Sequence, residues 1–273
     1  MHDIRTVLAG DEACLAASVF SPVSVAMAAD LGFRCAVVGG SVIAASRIAA
    51  PDYGLLTMTE LVDAVRQICT GSRIPVIVDG DSGYGNALNS WRLVRELEAA
   101  GAAAVTLEDY VLPRPFAAGS TLSACEEHCD KLVAALEARQ DSRFAVIART
   151  RYDADEGLDA CLARVCAYAS TGVDAICIFG FCPEPVAQAL VAACSKPLMI
   201  IAYRAQLSDL PGWGRAGVRV VLNGHRAFEE SLLGMYRGYA SVLSQTECST
   251  PADIVRQYTG IASMEALAER FVR

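Results

Sequence analysis

Apolar and polar positions follow two rhythms along this chain. Short runs rich in β-branched and small apolar residues recur eight times, at 15–19, 35–38, 75–79, 103–107, 144–148, 175–178, 198–202 and 219–222. Continuous apolar runs of this length predict strands buried on both faces. Between most of them lies a longer stretch with helical spacing, such as LTMTELVDAVRQIC, NSWRLVRELEAAG, ACEEHCDKLVAALEAR, GLDACLARVCAYASTG and PEPVAQALVAAC, several closed by a Gly where a left-handed cap is expected. Eight alternating β/α units predict an α/β fold, a (β/α)8 TIM-type barrel. A doubly wound open sheet is the alternative, but it needs neither eight near-equal units nor polar residues after so many strands. No linker, low-complexity tract or charge block marks a boundary, so residues 1–273 are expected to form a single barrel domain. Two short helical patterns in the segment from about 247 to 273 would cap the barrel or reach, as swapped helices, into a neighbouring subunit.

Composition narrows the classes of partner. Apolar residues make up 53% of the 273, enough for a substantial core, and 31 acidic against 23 basic residues leave a net charge of −8. With no Lys/Arg cluster to neutralise phosphates, nucleic acid and anionic membranes are not expected partners. Charge or Gly interrupts every apolar stretch before membrane-spanning length, and the N-terminus lacks a basic region followed by an apolar core, so a soluble cytoplasmic protein is expected. The 11 cysteines are scattered without a CxxC pair and read as small buried hydrophobes in a reducing compartment. Cys125, His128 and Cys129 share helical spacing, but without a second ligand pair they do not predict a zinc site.

Candidate chemistry centres on residues 75–85, PVIVDGDSGYG, where a buried strand ends in Asp79 and Asp81 within a Gly-punctuated turn. Neighbouring carboxylates repel unless a cation or shared proton compensates, and paired oxygen ligands suit a hard ion such as Mg²⁺. A solvated Asp-rich turn is the plainer alternative. A barrel collects its chemistry where strands end, and polar residues collect there: the GGS of residues 39–41, Asp79 and Asp81, Glu108 and Asp109, Arg149, Tyr203, then Asn223 and His225. Each alone has an ordinary explanation as a turn, surface ion pair or rim residue. Together they suggest a metal and an anionic substrate.

With GGS at 39–41, APD at 50–52, DGDSGYGN at 79–86, LED at 107–109 and IART at 147–150, the chain resembles the isocitrate lyase and phosphoenolpyruvate mutase superfamily over essentially its whole length. The resemblance implies a Mg²⁺-dependent barrel (Mn²⁺ is an alternative) acting on a small anionic 2-oxo acid, and a homotetramer, a dimer of dimers exchanging C-terminal helices. It implies that Asp79, Asp81 and Glu108 hold the metal and its waters, that Gly40 and Ser41 cradle the substrate's carboxylate and oxyanion, and that Arg149 pairs with a carboxylate. The loop after the fourth strand, LPRPFAAGSTLSAC, lacks the Cys-Gly-His of the isocitrate-cleaving members. VVLNGHRAF at 220–228, with Tyr203 before it, resembles the oxaloacetate decarboxylase branch. The expected activity is therefore metal-dependent decarboxylation of oxaloacetate to pyruvate, with Tyr203, His225, Arg149 and Asp52 as candidate catalytic residues and Gly40, Ser41, Arg149, Asn223 and His225 as candidate substrate contacts. Two departures from that branch are Arg151, where a small amide is more usual, and Ser82, in place of a His. Arg151 would either recognise a second acidic group or point outward to Asp153 or Asp155. Phosphonopyruvate mutase or hydrolase chemistry, or cleavage of a substituted malate, are the alternatives.

Overall fold

The computed structural model describes residues 3–112, 122–180, 182–202, 209–245 and 250–272. Eight strands form a closed parallel barrel in sequential order: β1 (Cys14–Ser18), β2 (Cys35–Val38), β3 (Val76–Asp79), β4 (Ala104–Glu108), β5 (Ala145–Arg151), β6 (Ala175–Phe179), β7 (Leu198–Ala202) and β8 (Val218–Asn223). The eight sequence-predicted strands all fall on these, with ends shifted by a few residues at most. The helices are α1 (Arg5–Leu8), α2 (Pro22–Asp30), α3 (Gly40–Ile48), α4 (Met58–Thr70), α5 (Ala87–Ala99), α6 (Cys125–Ala138), α7 (Leu158–Ser170), α8 (Glu184–Cys194), α9 (Leu210–Arg215), α10 (Arg226–Val242), α11 (Pro251–Tyr258) and α12 (Ile261–Phe271). No helix among the described residues is long and apolar enough to cross a membrane.

Local signals explain where helices begin. Thr57 and Glu60 form a reciprocal capping box at α4, and Ser21 with Ser24 does the same at α2, where Pro22 adds a preset φ at the first helical position. Each satisfies backbone donors that a helix start otherwise leaves unpaired.

Side-chain alternation then sorts the strands into two cores. One parity packs outward against the helices, as with Val38, Val78, Val105, Val146, Ile176 and Val221. The other fills the barrel interior with Cys14, Ala16, Val37, Ile77, Ala104, Ile147, Cys177, Met199 and Leu222, and Ile4, Val7 and Leu8 of the N-terminal turn join this inner cluster. One step further along the inner parity the apolar layers stop. Ser18, Gly39, Asp79, Glu108, Arg149 and Phe179 follow, at the carboxyl ends of their strands. The active polar groups thus stand on an apolar floor at the mouth where barrel chemistry gathers.

The cysteines described are all free thiols. His128 is fully buried and turns its ring against Tyr168, centroids 4.7 Å apart, so it serves packing between α6 and α7. Burial, with Lys131 and Arg164 nearby, lowers its pKa from 6.5 to about 3. Between those values the unfolded chain takes up a proton that the folded chain refuses, so stability is full above about pH 6.5 and falls as the pH is lowered through this window. Urea unfolding at pH 7 and pH 5 should show this: His128→Phe is expected to lose about 2 kcal/mol less than the wild type over that interval.

Candidate active site

The centre of the mouth is an ion network drawn from three adjacent strands. Arg149 Nη1 donates to Asp79 Oδ2 at 2.8 Å, and its Nη2 lies 3.1 Å from Glu108 Oε2. Strand register makes this possible, because Glu108 and Arg149 are direct partners across β4 and β5. The guanidinium also lies over the Phe179 ring, 4.9 Å from its centroid, which gives its face a partner on β6. Burial works against the cation, but Asp79 and Glu108 outweigh it and hold the Arg149 pKa well above the usual value.

Asp81 completes the carboxylate group from the turn after β3. Its φ of 46° places it in the left-handed region, a conformation costing about 1–2 kcal/mol for a residue with a Cβ. The turn is held from outside: the Glu108 N–H donates to the Asp81 carbonyl at 2.8 Å, and the buried Lys131 of α6 reaches the Ser82 carbonyl at 3.4 Å. Gly80 is required here, since a Cβ would lie 2.7 Å from a Val105 methyl and 2.9 Å from the Thr106 carbonyl. Burial, then repulsion from Asp79, Asp52 and Glu108, pushes the Asp81 pKa well above the carboxylate range, with Arg149 opposing. Among the described residues no basic group forms an ion pair with Asp81.

Facing the carboxylates is the start of α3. Gly39 caps it and Gly40 opens it, leaving N–H groups of the first turn without intrahelical acceptors and the positive end of the helix dipole at the mouth. Both glycines are there because neighbours crowd them. A Cβ on Gly39 would sit 2.8 Å from His225 Cε1, and one on Gly40 would sit 3.1 Å from Asp81 Oδ1. His225 is fixed from both sides, its Nδ1 2.7 Å from Ser18 Oγ and its Nε2 3.1 Å from Ser41 Oγ. Burial lowers its pKa to about 4, so the ring is neutral near pH 7.

The structure therefore brings together Gly40, Ser41, Asp79, Asp81, Glu108, Arg149 and His225. Asp52 is exposed on the loop after α3, close enough to raise the Asp81 pKa. Asn223 ends β8 with an exposed side chain, outside this hydrogen-bonded group, beside a cavity between α2 and α10. Tyr203 lies outside the described residues, as do residues 113–121 of the loop after β4. Asp109, grouped with Glu108 by sequence, faces the other way. Adjacent strand residues point to opposite sides, and Asp109 is buried outside the barrel, accepting from Thr150 Oγ1 (2.8 Å), Tyr168 OH (2.7 Å) and Arg164 Nη1 (3.1 Å). Arg151 is also spoken for: its Nη2 donates to Glu156 at 2.5 Å, lies 3.7 Å from Asp153, and its guanidinium stands over Tyr110. Of its two expected roles, the outward ion pair is the one present, with Glu156 in place of Asp155. Ser18, Lys131 and Phe179 were not foreseen as contributors.

A hard divalent cation fits this donor set. The side chains of Asp79, Asp81, Glu108 and Asp52 gather near one guanidinium, and their mutual repulsion, felt most at the buried Asp81, is what a bound cation would relieve. No three ligating groups among the described residues converge into a closed cage. Mg²⁺ needs none, since it keeps several waters and takes only one or two protein carboxylates.

Fold and site together define an enzyme of the (β/α)8-barrel class with its polar groups at the carboxyl mouth. The chain belongs to the phosphoenolpyruvate phosphomutase family, whose model matches residues 4–243. It is 44% identical over 237 residues to an oxaloacetate decarboxylase of Chromohalobacter salexigens, covering 86% of this chain and 82% of that protein. It is 42% identical over 263 residues to the Pseudomonas aeruginosa oxaloacetate decarboxylase, covering 93% and 91%. Among solved structures it is similar to a phosphonopyruvate hydrolase in complex with oxalate and Mg²⁺, with a TM-score of 0.75, 26% identity, and coverage of 99% and 98%. Likeness of this extent makes the chain a lyase of the superfamily that its motifs resemble.

The outward role of Asp109 has a measurable consequence. Asp109→Ala takes the carboxylate from the Arg164 cation and the acceptor from the Tyr168 hydroxyl, and is expected to cost about 1–3 kcal/mol in urea unfolding. Asp109→Asn, which keeps an acceptor oxygen, should cost less.

Proposed function

We propose that this protein decarboxylates oxaloacetate to pyruvate and CO2 with Mg²⁺ bound by Asp79, Asp81 and Glu108, directly and through water. The observation that carries this is the division of the mouth: a carboxylate-rich side at β3 and β4 faces a donor side made by the α3 N-terminus, Ser41 and His225. The two decarboxylase relatives, alike over most of the chain, support it. The metal would withdraw charge from the C2 carbonyl as a Lewis acid and set the plane of the substrate.

The chain's own groups do the rest. N–H groups of Gly40 and Ser41 and the Ser41 hydroxyl receive substrate oxygen, where each well-placed donor contributes about 3–4 kcal/mol as charge develops. Arg149 donates one N–H to Asp79 and meets Glu108 as an ion pair, which leaves donors for a substrate carboxylate. As the C3–C4 bond breaks, its electron pair moves toward the C2 oxygen, CO2 departs, and the pyruvate enolate takes a proton at C3. Tyr203 or His225 would supply or orient that proton.

A phosphonate substrate is less well served. Its extra negative charge called for Arg151, and that guanidinium is occupied by Glu156 and Asp153.

We further propose a homotetramer with exchanged C-terminal helices. An apolar cavity of about 390 Å³ opens between α2 and α10, lined by Leu15, Phe20, Met27, Leu31 and Phe33. Met27 and Leu31 remain 60% and 79% exposed, and α10 presents Met235 and Tyr239 to solvent. Apolar surface of this kind on two neighbouring helices is what a second copy would cover.

Pyruvate release from oxaloacetate should require Mg²⁺ or Mn²⁺, exceed the metal's own background, and stop with EDTA. Asp81→Ala should abolish both turnover and calorimetric Mg²⁺ binding; turnover that survives chelation would remove the metal from the scheme. In sedimentation the wild type should run as a tetramer and Leu31→Asp as a smaller species, whereas a monomeric wild type would end the helix-exchange proposal.

A further inference from the structure

Ser18 is the last residue of β1, two positions beyond Ala16 and therefore on the inner face. Its hydroxyl begins a three-membered chain across the mouth: Ser18 Oγ to His225 Nδ1 at 2.7 Å, then His225 Nε2 to Ser41 Oγ at 3.1 Å. Each member comes from a different element, β1, the turn before α10, and the first turn of α3. The imidazole edge lies so close to Gly39 that no Cβ fits between them, which keeps the ring in this orientation.

Counting protons along the chain assigns them. A hydroxyl carries one proton and two lone pairs, and a neutral imidazole carries one N–H and one bare nitrogen. Among the described residues, His225 Nδ1 is the only hydrogen-bond partner of Ser18 Oγ. If Nδ1 bore the ring proton, it would donate to Ser18 and leave the hydroxyl proton, on a residue only 9% exposed, with no acceptor among the described residues. A buried donor left unmade costs more than the bond it replaces. The favoured order is Ser18 O–H to Nδ1, then Nε2–H to Ser41 Oγ. Ser41 thus accepts from within the protein, and its own proton is directed away from His225, at the positive end of α3 where an anion is best held.

We propose that Ser18 is a positioning residue that locks His225 as the Nε2–H tautomer, so that His225 directs the Ser41 hydroxyl onto substrate oxygen and does not itself deliver the proton to C3. The tautomer rests on geometry alone; its effect on turnover rests on the decarboxylase proposal. The C3 proton then comes from another group.

The chain has three histidines, so imidazole ¹⁵N spectra of the labelled protein are simple, and His225→Gln identifies the resonances of interest. At pH 7 without substrate, the wild type should show a protonated Nε2 and a bare Nδ1. Ser18→Ala should show both tautomers, and Ser18→Thr, which keeps the hydroxyl, should restore the single form. In pyruvate release, Ser18→Ala should lower kcat by roughly tenfold with KM changed less than about threefold, the size expected for one misdirected hydrogen bond. Ser18→Thr should recover most of it. A wild-type ring protonated at Nδ1 would overturn the proposal, as would a Ser18→Ala enzyme with unchanged tautomer and kcat. Should the wild type release no pyruvate, the decarboxylase proposal falls and the ring spectra alone decide the role of Ser18.

Discussion

A guanidinium sealed inside a barrel is tolerable only if anions meet it, and the rest of this site follows from how Arg149 is met. Asp79 and Glu108 reach it from the two preceding strands, and strand pairing places Glu108 directly beside Arg149. Desolvating three charges costs several kcal/mol per ion, and good geometry recovers that cost only in part. The network is therefore weak evidence for stability and stronger evidence for a site. Its charge does not balance either: Asp81, brought in by a strained turn, adds a carboxylate for which the described protein provides no ion-pair partner. The crowding of carboxylates is thus a property of the geometry itself, and the cation proposed above would offset it.

The scaffold makes that arrangement rigid. Below the ion layer the barrel interior is filled by Ile77, Ile147, Met199, Val220 and Leu222, all 5% exposed or less, with the first helical turn closing its other end. Close-packed interiors yield little, so Asp79, Glu108 and Arg149 stand on a floor that cannot sink. Outside the same strands, Asp109 ties β4 to Thr150 of β5 and to Arg164 and Tyr168 of α7, while its N–H donates to the Arg149 carbonyl at 3.1 Å. Glu108, the last residue of β4, and Asp109, the next in the chain, therefore hold the β4–β5 edge from its two sides, Glu108 through the side chain of Arg149 and Asp109 through Thr150 and the Arg149 carbonyl.

Much of this was legible in the sequence. Strand positions were readable because each run is apolar on both parities, the mark of a sheet covered by helices outside and packed within. Asp79, Asp81, Glu108 and Arg149 were readable because charge follows directly on those runs. What escaped was direction. Asp109 neighbours Glu108, and only the alternation of β4, once its inner face is known, sends it outward. Asn223, one place past Leu222, has the outward parity for the same reason. Arg151 has the inner parity, yet Glu156, five residues further along the chain, captures it, and nothing in the sequence pattern gives warning of that contact. Ser18 was hidden differently. In SVFSPVS it stands beside the residues that start α2, and its actual partner is His225, more than two hundred positions away.

The two halves of the mouth also differ in how their charges are managed. On the carboxylate side, burial and mutual repulsion raise the proton affinity of Asp81, and a cation would reverse that preference. On the opposite side, burial lowers the proton affinity of His225 to about 4, with Arg149 assisting and Asp79 opposing. A protonated ring would donate from both nitrogens and place a second cation near Arg149. A neutral ring donates from one nitrogen and accepts at the other, and that asymmetry gives the Ser18–His225–Ser41 chain a direction. The site is thus polarised by its structure, with carboxylate oxygens on one wall and the α3 N-terminus, Ser41 and His225 on the other, and in the proposed reaction charge developing on a substrate oxygen would meet dipoles already in place.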